Sequence, residues 1–137
     1  MANPGPAVTV SNHPQNLSSN QAIRLLAFFQ GVNVNATGDT VLPIIDSSTY
    51  SVSNVVMTNA SISLTTAAAG VFTAPAAGGT AIVSNAALSA LTGSTVVSQR
   101  TVASTAAQTG QNLYVNVGTA QGAAATVDVY VYGYDFS

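Results

Sequence analysis

Short β-prone runs, nearly all closed by turn-forming residues, set the limits on what this chain can fold into. Strands are expected at 23–29, 40–45, 50–58, 61–65, 70–73, 80–83, 95–103, 112–117 and 125–134. The breakers between them include Gly31, Gly38-Asp39, Asp46, Pro75, Gly78-Gly79, Gly93, Gly110, Gly118 and Gly122. Pro43 has no N–H to give a ladder, which demotes its run to an edge strand or a bulge. The first run, IRLLAFF, fits either a strand or one or two helical turns. One short helix is expected at 85–92, where Asn85 can cap, Leu88 and Leu91 stand three apart, and Gly93 can stop it. No long helices alternate with the strands, so a parallel α/β sheet is disfavoured. About eight short strands at this spacing predict an all-β chain, folded as an antiparallel β-sandwich or barrel.

Composition decides how large that fold is and what surrounds it. With 137 residues, 47% of them hydrophobic, the chain can bury a core of its own. We expect one sandwich domain over 21–137, preceded by an extended arm at 1–20. The arm carries Pro4, Pro6 and Pro14 among Asn and Ser, and Val8 and Val10 could add it to a sheet edge. Only Arg24, Arg100, Asp39, Asp46, Asp128 and Asp135 are charged, and Lys, Glu and Cys are absent. An ordinary domain is about 25% charged, against 4% here. Net charge keeps free proteins apart. A chain that omits it suits close, repeated contact, and a structural subunit better than an enzyme.

The same scarcity excludes partners. Nucleic-acid binding needs several cations to displace counterions from phosphates, and two arginines cannot supply them. Anionic membrane surfaces are excluded likewise, and there is neither a long apolar run nor a secretory leader pattern at the start. Synthesis in a cytoplasm is expected.

Alternation is clearest near the C-terminus. Val127, Val129 and Val131 fall on one face of their strand, with Asp128, Tyr130, Tyr132 and Tyr134 on the other. The run before it repeats the pattern, with Leu113, Val115 and Val117 opposite Tyr114 and Asn116. Joined through 118–124, the two runs are expected to form a hairpin with an aliphatic face and a tyrosine face. Tyrosine gives wide apolar contact with a polar end, so Tyr114, Tyr130, Tyr132 and Tyr134 are candidates for subunit contact, against half-exposed strand formers as the plainer reading. Arg24 and Arg100 lie among apolar residues and need an intrachain acid, a bulge that turns them outward, or a neighbouring subunit. Both are further contact candidates.

No catalytic residue is assigned. His13 is the only histidine and falls in the arm, so the many Ser and Thr lack a positioned base. Asp39 and Asp46, the only acids close in sequence, both read as turn formers. One His and no Cys exclude zinc, and no metal or cofactor is expected. The sequons at Asn16, Asn35 and Asn59 are what such a composition yields by chance.

Two segments, TNASISLTTAAAGVFTAPAAGGTAIV (58–83) and LYVNVGTAQGAAATVDVYVYGYDFS (113–137), resemble small virion proteins of tailed bacteriophages. The likeness spans roughly 23–137 and is most specific in TAQGAAATVDVYVYGYD. It implies a capsid decoration or cement protein: a compact, jelly-roll-like β-sandwich, often a homotrimer, seated over joints between capsomers. Its partners would be the major capsid protein and copies of itself, on the capsid surface of the virion. The expected function is to stabilise the shell by bridging neighbouring capsid subunits. The alternative is a receptor- or glycan-binding module of a head fibre, spike or tail, with tyrosines stacked on sugars and Asp or Asn as acceptors.

Overall fold

The computed structural model describes residues 23–137. The arm expected at 1–20 lies outside them. Eight strands follow one another: β1 (Arg24–Asn33), β2 (Gly38–Pro43), β3 (Tyr50–Thr58), β4 (Ala68–Ala74), β5 (Gly78–Ala87), β6 (Val97–Arg100), β7 (Asn112–Thr119) and β8 (Thr126–Asp135). There is no helix among the described residues.

The strands form two four-stranded antiparallel sheets, ordered β1-β8-β3-β6 (sheet A) and β2-β7-β4-β5 (sheet B). Pairing is nested: β1 with β8, β2 with β7, β3 with β6 and β4 with β5. The pairs β3–β8 and β4–β7 then complete each sheet. A long antiparallel ribbon rolled in this way is a jelly roll, so the expected sandwich is present with that topology.

Period-two alternation builds the core. Val127, Val129 and Val131 of β8, Val52, Val55 and Met57 of β3, and Leu113, Val115 and Val117 of β7 all face inward and are buried. Each fully buried Val contributes about 1.5–3 kcal/mol relative to exposure. Pro43 ends β2, the outer strand of sheet B, where a missing N–H leaves no central ladder broken. The ambiguous first run is strand, since β1 needs its backbone to pair with β8.

Three expectations are corrected. Residues 85–92 are not helical: Asn85 and Ala87 belong to β5, and Leu88 and Leu91 are both fully buried by a tight turn closed by Leu91 N–H to Leu88 O, 2.9 Å. A spacing of three satisfies such a turn as well as a helix. Residues 61–65 form bends rather than a strand, although Leu64 is fully buried. The third correction concerns the hairpin. β7 and β8 lie in opposite sheets, and 120–125 crosses between them, because each aliphatic face can be buried against the other across the sandwich.

Candidate functional site

That crossing divides the tyrosines. Tyr130, Tyr132 and Tyr134 stand half-buried on the outer face of sheet A, while Tyr114 stands on the outer face of sheet B. The one tyrosine face expected from the sequence is therefore two faces on opposite sides of the molecule.

Sheet A carries the larger aromatic surface. In register across it run Phe28, Tyr130, Val56 and Gln99, with Leu25, Tyr132 and Asn54 in the next row. Phe28 and Tyr130 stack with ring centroids 6.3 Å apart and planes 13° from parallel, within the favourable range for aromatic pairs. Gln30 Nε2 donates to the Tyr130 hydroxyl at 2.9 Å, and Gln99 Nε2 to Asn54 Oδ1 at 3.0 Å. Phe28 remains 44% exposed and Val97, on β6, 56%. The surface is thus apolar and hydrogen-bonded but uncharged, apart from Asp128 at one end. Sheet B presents Tyr114 beside Val41 and Phe72, with Phe72 already buried.

Most of the few ionic groups are engaged within the chain. Asp39 accepts Ala76 N–H and Asn116 Nδ2, both at 2.8 Å. It thereby clamps the β4–β5 turn, where Ala76 and Ala77 hold the left-handed backbone (φ 57° and 56°) that alanine seldom adopts. Asp128 accepts the Gly31 N–H at 2.8 Å and Asn59 Nδ2 at 3.2 Å, fixing a bulge in β1 and the turn after β3. Asp135 is buried and accepts from the Ser137 hydroxyl, the Ser137 N–H and the Ser47 hydroxyl. The Ser137 hydroxyl is the largest influence in holding its carboxyl down at about 2. Burial opposes it, and the Ser137 N–H, Ser47 and the Arg24 charge add to the lowering.

Arg24 finds its acid within the chain, although its Nε is buried with no partner among the described residues. It meets Asp135 Oδ2 at 3.4 Å and donates to the carbonyls of Ile45 and Asp46 at 2.6 and 3.0 Å. Arg100 is different: among the described residues it has no acid beside it, and it lines a cleft between β5 and β6. Its strand is shorter than expected. Val96 falls outside β6 and is exposed, while Ser98 is buried.

The sequence pattern did not mark Tyr50 or Phe28. Tyr50 is fully buried and donates to Gly110 O at 2.7 Å, and burial pushes its hydroxyl up to about 12. Phe28 looked like one more apolar residue in an ambiguous run; only the register with Tyr130 places it on the outer face. No group of three or more His, Cys, Asp or Glu suited to a metal occurs among the described residues.

Comparison with known proteins adds no relative: no family model matches the chain, and no curated protein or solved structure does so either.

Proposed function

We propose that this chain is a structural virion protein of a tailed phage, decorating the capsid and stabilising it by bridging neighbouring capsid subunits. The observation that carries the reading is the outer face of sheet A, an aromatic surface without cations, on a molecule whose carboxylates mostly brace its own turns and bulges. Copies with so little charge pack side by side on a lattice without repulsion. Tyrosine-rich surface is the kind that protein contacts favour. Modest attachment per copy suffices, because many contacts act together on a shell. The jelly roll is compatible with this role but also serves lectins and enzymes, so the fold is a weaker support than the face. Assembly as a homotrimer against the major capsid protein belongs to the same proposal.

The glycan-binding alternative would use the same tyrosines with Asp128 or Asp135 as acceptors. Asp135 is buried and its Oδ1 already accepts from Ser47 and Ser137, which leaves that reading Asp128 as its acid. The test is to add purified protein to phage particles lacking it and to measure binding and survival of heat or osmotic shock. Rebinding with increased resistance is expected. Binding to cells or polysaccharide, with none to particles, would establish the alternative.

A further inference from the structure

Arg100 places a permanent positive charge where the fold supplies no acid. It ends β6 and pairs with the buried Val55, so it sits on the inner side of sheet A at that sheet's open edge. From there the guanidinium reaches across to β5, where Nη2 donates to Ala86 O at 3.3 Å, a long bond. Nε, like that of Arg24, is buried with no partner among the described residues; what sets Arg100 apart is that no acid stands beside it there. Burial pulls the group below the ordinary arginine range, yet arginine stays protonated in proteins. A half-buried charge without a counter-ion is destabilising.

The chain's own side chains do not provide one. Its acids are Asp39, Asp46, Asp128 and Asp135, and residues 1–22 contain none. Asp39, Asp128 and Asp135 are engaged on other elements, and Asp46 lies in the segment that receives Arg24. Among the described residues the ion pair is Arg24–Asp135.

Space and backbone are available beside the charge. A cleft of about 230 Å³ lies between Val83, Ser84 and Ala86 of β5 and Gln99, Arg100 and Thr101. One water occupies about 30 Å³ of liquid, so a carboxylate and the short side chain bearing it fit. β5 ends sheet B and β6 ends sheet A, and Ala103, which also lines the cleft, bridges to β5 through its N–H to Ile82 O at 2.7 Å, so the edge left to a partner is that of β6. Val96, just before β6, and Val97, its first residue, are each 56% exposed, and β6 has neither Lys nor Pro to discourage pairing.

We propose that this cleft binds a carboxylate carried on an extended segment of a partner protein, with Arg100 forming the ion pair and the edge of β6, unpaired among the described residues, taking the main chain. That the partner is a capsid subunit rests on the function proposed above; the carboxylate chemistry does not.

Two measurements keep those apart. First, isotope-labelled protein is titrated with acetate, acetamide and inorganic phosphate, following the NMR signals of Arg100 Nε–H and the Ser84, Ala86 and Thr101 amides. Saturable shifts with acetate are expected, with none from acetamide and none in Arg100→Gln. No saturable response to acetate, or a response to phosphate alone, overturns the carboxylate assignment. Second, co-sedimentation with particles compares wild type, Arg100→Gln and Arg100→Lys, each checked by thermal melting. Arg100→Gln should lose about tenfold or more in apparent affinity, and Arg100→Lys, which keeps charge without the planar fork, should lose part of that. Equal binding by Arg100→Gln overturns the role in partner recognition while the capsid reading stands. Wild type that answers acetate yet binds no particle sinks the capsid reading and leaves the carboxylate site intact.

Discussion

The backbone of Gly133 lies against the carbonyl oxygen of Ser51, leaving no room for a Cβ at the centre of sheet A. The Leu26 Cδ1 atom closes the same space at 2.8 Å from where that Cβ would stand. Bulges in β1 at Leu25/Ala27 and in β3 at Val52/Asn54 bring both neighbours over the glycine. Because the obstruction is backbone on one side and core on the other, neither gives way cheaply. Gly133→Ala should destabilise by about 2–3 kcal/mol, lowering Tm by several degrees. Gly93 has open space and no left-handed φ, so Gly93→Ala should leave Tm unchanged or slightly raised. Equal melting of the two variants would contradict this packing.

Acid stability should depend on Asp135. Its carboxyl is held down at about 2, chiefly by the Ser137 hydroxyl, then by the Ser137 N–H, Ser47 and Arg24, whereas an unfolded Asp titrates at about 3.9. The folded pKa is the lower one, so the contribution is complete above about pH 4 and is lost as pH falls towards 2. Asp135→Asn should lower stability at pH 7 by about 2 kcal/mol, as expected for lost hydrogen bonds to a charge. It should also flatten the fall in Tm between pH 4 and 2. A fall as steep as in wild type would place the acid sensitivity elsewhere.

How far the sequence foretold this molecule is visible in particular strands. The faces of β8 were readable because side-chain direction has period two whatever a strand pairs with. The sheet a strand joins has no such local signature: β7 and β8 carry the same pattern, yet face each other across the core. Leu88 and Leu91 were recognisable as apolar neighbours, but a turn and a helix both bring such residues together. Arg24 showed that it needed an acid, while its choice of Asp135, 111 positions away, is set by the pairing of β1 with β8. The cleft at Arg100 arises only when the last strands of two sheets come side by side.

Tyr50 should govern the alkaline limb. Burial raises its hydroxyl to about 12, against about 10 in the unfolded chain. The folded pKa is now the higher one, so stability is intact below about pH 10 and declines as pH rises towards 12. The same hydroxyl anchors the segment after β6 through Gly110 O. Tyr50→Phe should therefore cost about 1–2 kcal/mol at neutral pH while reducing the alkaline loss. Denaturant unfolding at pH 7 and pH 11 measures both, and a variant that keeps the full alkaline loss would refute the assignment.

The two outer faces should differ in their bearing on attachment. Phe28 on sheet A and Val41 on sheet B are each 44% exposed, so replacing either by Ser removes exposed apolar surface, more of it at the larger Phe28. Phe28 belongs to the aromatic row with Tyr130, with Tyr132 in the row beside it, whereas Val41 lies on the opposite side of the sandwich next to Tyr114. If sheet A meets the capsid, Phe28→Ser and Tyr132→Ser should each weaken particle binding about tenfold, as contact aromatics commonly do. Val41→Ser should bind as wild type does. Co-sedimentation across a protein titration, with melting curves to confirm folding, reads the difference. Loss with Val41→Ser alone would move the contact to the sheet B face around Tyr114, and equal retention by all three would remove both sheet faces from the interaction.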